Sequence, residues 1–170
     1  MNKADVVSLI DWMYWVNHRL LAAADGLNDA KFRAPTKVTT RSLRDTFVHE
    51  LDVEWSWREN LRGKQVDEWG PDEELKPDDF PDVASLRERW ASDEQEMRDW
   101  LESLTDAEVG RPVRSAFTND RRPLWQFLMH IVSHAAQQQA DAATLLTLAG
   151  RSPGDIGYLE YIYDREGDRH

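Results

Sequence analysis

From Trp125 to Gly150 the sequence WQFLMHIVSHAAQQQADAATLLTLAG runs without a proline or an internal glycine, long enough for about seven turns of α-helix. Leu124, Leu128, Ile131, Val132, Ala135, Ala142, Leu145, Leu146 and Ala149 recur at helical spacing, and Gly150 followed by Pro153 stops the pattern. The rest of the chain is organised around this helix. His130, His134 and Gln138 follow one another at four-residue intervals along it, so their side chains share one face. Nowhere else does the sequence line up potential imidazole ligands.

Three further amphipathic stretches match it. Apolar periodicity predicts helices near 5–26, 41–61 and 83–104 beside the one at 123–149. Thr40 or Ser42 offers an N-cap to the second, Gly63 lies beyond its end, and Pro123 stands at the first turn of the fourth. The link from Asn28 to Thr40 reads as a loop. Residues 63–81 form a second, acidic and proline-bearing link, long enough for the third helix to start far from where the second ended. Between 105 and 122 the alternation around Val113, Ser115 and Phe117 fits either a short hairpin or an irregular excursion. Ile156, Tyr158, Leu159 and Ile162 suggest a short terminal helix. The expectation is therefore an all-α fold, a four-helix bundle with a long second crossover and a short C-terminal helix, forming one domain over 1–163 with a frayed tail at 164–170.

Composition narrows the function. Lysine and arginine number 21 against 32 acidic residues, a net charge of −11 that repels phosphate backbones and argues against nucleic-acid binding. No cysteine is present, which removes disulfides, thiolate ligands and a cysteine nucleophile. No apolar run approaches the roughly 20 residues needed to cross a bilayer, and the N-terminus has no signal-like core, so a cytoplasmic protein is expected. Eight tryptophans exceed what a bundle core needs; Trp12, Trp15, Trp55, Trp57 and Trp125 either line a pocket or fill gaps at helix ends. The aromatic surface of Trp12, Trp15 and the Tyr158-to-Tyr163 segment suggests a twofold homodimer.

Only two helices place histidines where a core can use them. His130 and His134 on the fourth helix and His49 on the second make either an open three-imidazole site for zinc, nickel or iron(II), or polar histidines hydrogen-bonded across the bundle. His18 reads as an ordinary polar residue. Glu50 and Glu54 sit among the apolar residues of the second helix; burying them is costly unless they are paired, and the alternative is that their heads escape at the bundle edge.

TFVHELDVEWSWRENLRGK, followed about 70 residues later by LWQFLMHIVSHAAQQQADAATLLTLAGRSPGDIGYLEYI, resembles the DinB family, and WMYWVNHRLLAAADGLNDAKF is similar to that family's first helix. The resemblance implies a metal-binding four-helix protein related to thiol-dependent transferases. It places a ligand at His49, with Glu54 and Trp57 following, and a second at His134 after Ser133. A third ligand histidine is expected four residues on, where this chain has Gln138, and Gln139-Ala140-Asp141 stands where the family often has Arg-Gly-Gln. His130, one turn earlier and also four residues from His134, is the candidate to replace it, at the cost of moving the site about 6 Å along the helix. In the enzyme reading zinc or nickel held by His49, His134 and His130 activates a small-molecule thiol or water, with Glu54 or Glu50 transferring protons. The alternative is a non-enzymatic ligand-binding or stress-associated bundle with a degenerate site.

Overall fold

The computed structural model describes residues 1–70 and 73–167. Helix α1 (Lys3–Ala24) opens with a capping box in which the Asn2 side chain accepts from the Asp5 amide. It buries Val6, Ile10, Met13, Asn17, Leu20 and Ala24, a single stripe at three- and four-residue spacing. A one-turn helix α2 (Asp29–Phe32) follows, and Ser42 then caps α3 (Leu43–Arg62) through the Asp45 amide. Helix α3 ends at Gly63, whose φ of +119° is open to glycine and strained for other residues. Asp82 caps α4 (Val83–Ser103), and α6 (Leu124–Leu148) starts directly after Pro123. Past its end, Arg151 N–H donates to the Leu146 carbonyl at 2.8 Å and Gly150 takes a φ of +78°. All four long helices lie within two residues of their expected bounds.

Cross-helix pairs fix the directions. His49 meets His134 and Trp57 meets Phe127, so α3 and α6 are antiparallel. Glu54 bonds Trp90 while Arg58 bonds Asp93 and Glu96, so α3 and α4 run parallel. On α1, Asp11 pairs with Arg98 and His18 with Glu94, which makes α1 and α4 antiparallel. Around the bundle the order is α1, α4, α3, α6. Parallel neighbours cannot be joined by a tight turn, so the second connection must travel back along α3, which is roughly 30 Å long. It does so through two 3₁₀ turns at Val66–Glu68 and Pro77–Asp79, with Leu75 N–H donating to Asp52 and Asp78 reaching Arg44 near the start of α3.

The 105–122 excursion resolves into a short helix α5 (Asp106–Gly110) and an antiparallel hairpin, β1 (Pro112–Arg114) with β2 (Arg121–Pro123). Buried Ser115 pins it to the C-terminal end of α3 by donating to the Asn60 amide oxygen at 3.1 Å. Helix α7 (Tyr158–Glu166) lies on α1. Trp12 donates to the Ile156 carbonyl and Trp15 to Asp164, while Tyr158 and Tyr161 meet the two indoles edge to face. Of the tail expected to fray from Asp164 onward, Asp164 to Glu166 continue α7, and residues 168–170 lie outside the described residues. The same packing covers the Trp12 and Trp15 faces within the chain. One apolar cluster runs through α1, α3, α4 and α6 and forms the core. No helix among the described residues is long and apolar enough to cross a membrane.

Candidate functional site

One face of α3 carries Glu50, Glu54 and Arg58, each a turn beyond the last, and all three point into the bundle at 1% exposure or less. Neither glutamate head escapes to the edge. Glu54 accepts from the Tyr14 hydroxyl on α1 through a very short hydrogen bond and from the Trp90 indole N–H on α4 at 3.0 Å. Burial pushes its pKa up to about 7, against the two hydrogen bonds, which favour the ionised form. Glu50 accepts from the Gln139 amide at 3.0 Å, and the same amide nitrogen donates to Asn17 Oδ1 at 2.7 Å and to the Met13 carbonyl at 3.0 Å. Burial, reinforced by Glu54, raises the Glu50 pKa well above the usual carboxylate range. Three acceptors share one NH₂ here, while Glu50 Oε2 and Asn17 Nδ2 meet no hydrogen-bond partner among the described residues. Arg58 closes the series with hydrogen bonds to the carboxylate and carbonyl of Asp93, which also holds Arg89.

A different face of α3 presents His49. Its Nε2 lies 3.2 Å from His134 Nε2, with the ring planes at 74°. Burial lowers both imidazoles' pKa values: that of His134 to about 4, with His49, His130 and Arg41 adding to the effect, and that of His49 with help from Arg41 against the pull of Glu74. Both rings are therefore neutral at pH 7, the form that ligates metal. His130 does not join them. Its ring centroid is 6.4 Å from that of His134 and 4.7 Å from that of Trp57, at an exposed position. Gln138, one turn beyond His134, is buried. Rings continue outward from the pair through His130 and Trp57 to Phe117 and Trp69.

The donor set fits a divalent ion in part. Two nitrogens bound to one tetrahedral zinc at the usual bond length stand about 3.3 Å apart, close to the separation found here. Gln138, one turn beyond His134 on the same helix, carries a carboxamide oxygen, a weaker donor than imidazole. No group of three histidine, cysteine, aspartate or glutamate side chains gathers at a common point among the described residues. Glu50 and Glu54, expected to move protons, are enclosed in the core with partners on α1, α4 and α6.

Tyr14, Trp90, Asn17 and the Arg58–Asp93 pair carry no signal of their own in the sequence, and Gln139 stands out there only as a departure from the family's pattern. The four-residue spacing of Glu50, Glu54 and Arg58 was the available signal, because one helix face bearing three ionisable groups between apolar residues needs partners.

Among curated proteins none matches the chain. Among solved structures it is similar to the crystal structure of an uncharacterized protein from Clostridium difficile 630, at 16% identity over 84% of this chain and 94% of that one, with a TM-score of 0.59. At that identity the likeness bears on the fold alone. A model described as the DinB family matches residues 1–168. Spanning all four long helices and the His49–His134 pair, that match establishes that the chain belongs to the DinB family.

Proposed function

We propose that this DinB protein is a divalent-metal-dependent transferase or hydrolase that uses water or a small-molecule thiol. The observation that carries the reading is the 3.2 Å separation of His49 Nε2 and His134 Nε2, two neutral imidazoles held at the spacing of ligands on one ion. His49 and His134 would hold zinc or nickel, with Gln138 as the third, weaker donor. When bound, such an ion lowers the pKa of a water or thiol and polarises an electrophile. The chain's own groups supply the surroundings: Trp57 and His130 wall the outer side for a small-molecule substrate. Glu50 acts as a positioning residue, because it follows His49 on α3 and its partner Gln139 follows Gln138 on α6. A homodimer belongs to the same proposal, with Leu159 and Tyr163, exposed on α7, as the surface a second copy would cover.

A second reading is favoured by two observations, the hydrogen bond that the His49 and His134 Nε2 atoms make to each other and the lack of a third strong donor at the pair among the described residues. In it the bundle binds a ligand without catalysis and the site is degenerate. Calorimetric titration of untagged protein with zinc or nickel separates the two. Uptake by the natural chain, loss in His49→Ala and tightening in Gln138→His are the expected outcomes. If the natural chain takes up neither metal while Gln138→His binds tightly, the metalloenzyme reading fails and the degenerate site stands.

A further inference from the structure

The long second connection carries a cluster that the histidine pair does not use. Trp55 on α3 and Trp69 in the crossover meet edge to face, with centroids 5.1 Å apart and planes at 75°, so the two indoles form a corner. The Lys64 ammonium occupies it, 4.4 Å from the Trp69 centroid and 5.8 Å from that of Trp55. Glu73 closes a further side by an ion pair with the same nitrogen. Phe117 backs Trp69 at 5.7 Å. The Trp69 indole N–H is buried and meets no hydrogen-bond partner among the described residues, while its π face meets the Lys64 ammonium.

Two indoles and a carboxylate around one nitrogen is the chemistry that recognises alkylated ammonium ions, whose weak hydration lets them give up water to ring faces. Lys64 is held there by both rings and by Glu73, so a ligand must displace it. It follows Gly63, the residue that ends α3, so its four-carbon stem can leave without unwinding the helix. The connection also carries Asp67, Glu68, Glu73 and Glu74 on a chain of net charge −11, which raises the local concentration of cations. Arg89 lies 5.5 Å from the Trp55 ring but is tied to Asp93 at 2.6 Å.

We infer that Trp55, Trp69 and Glu73 form a site for a small organic ammonium ion, a methylated or quaternary amine, in which Lys64 is the resident competitor. Calorimetric titration with tetramethylammonium chloride, against sodium chloride at equal ionic strength, tests it. Lys64→Met removes the competing charge and keeps the stem, and it tightens tetramethylammonium binding by about tenfold over the natural chain. Adding Trp69→Ala to that variant abolishes the gain. No tightening in Lys64→Met, or an equal heat with sodium chloride, overturns the site. A readout free of substitutions uses the natural chain: high tetramethylammonium shifts the indole N–H resonances of Trp55 and Trp69 and leaves that of Trp12, bonded to Ile156, in place. Unmoved Trp55 and Trp69 resonances likewise overturn it.

Discussion

Glu54 shows how one side chain is tuned by its neighbours. Facing it are Tyr14 from α1, Trp90 and Asp93 from α4, and Arg58 and Glu50 from its own helix. Burial favours the neutral acid, whereas the two donors and Arg58 favour the carboxylate. With a folded pKa near 7 against about 4.5 unfolded, the folded state binds the extra proton. Its contribution to stability is therefore intact below pH 4.5, falls as pH rises, and levels off above about 7, a loss on the order of 3 kcal/mol. Glu54→Gln keeps a carbonyl for the Trp90 N–H and an amide for the Tyr14 oxygen, and cannot ionise. Urea unfolding from pH 4.5 to 8 tests this: the natural chain should lose stability relative to Glu54→Gln as pH rises. A constant difference would mean that Glu54 is ionised throughout. His49 and His134, with lowered pKa values, push the other way as pH falls, so the difference between the two proteins is the quantity to read.

At the scale of elements, the long helices were legible because each carries an apolar stripe bounded by caps or glycines, a signal contained within its own sequence. The meeting of His49 with His134 was open to a reading from the residues, since only two helices place histidines where a core can use them, and the resemblance pointed to the same two positions. His130 and Gln138 lie equally far from His134 in sequence, and helical spacing does not say which ring or amide of α6 meets His49; His130 packs instead on Trp57, two turns further along α3, a contact between helices. The partners of Glu50 and Glu54 were illegible for the same reason. Asn17, Tyr14, Trp90 and Gln139 come from three other helices, and their arrival depends on how each is rotated in the bundle. The inward series on α3 predicts a large effect at its last member. Arg58→Met strips the buried Asp93 of one of its two cations, and breaking a buried pair in this way costs about 3–5 kcal/mol. Arg89 remains, so the lower end is expected. A change in denaturation midpoint equivalent to less than about 1 kcal/mol would show that Arg89 compensates fully.

For the whole molecule, the decisive feature is how the end of the chain returns to its beginning. Helix α7 lies on α1, where the Tyr158 hydroxyl shares a hydrogen bond with Ser8 and Trp12 and Trp15 are capped by Ile156 and Asp164. The aromatic surface that suggested a dimer is thus used inside one chain, and a second copy would have to rest on the outer face of α7, at Leu159 and Tyr163. Sedimentation at micromolar concentration separates the two surfaces. If the outer face of α7 pairs chains, the full protein runs at about twice 19.8 kDa, and a single species of 19.8 kDa removes the dimer. Ending the chain at Ile156 takes away that face and uncovers Trp12 and Trp15. The four long helices keep their core, so the shortened protein should remain helical while its tryptophan emission shifts to the red and its self-association rises with salt, as the net charge of −11 is screened. Unchanged emission and mass in the shortened chain would mean that α7 does not shield these rings in solution.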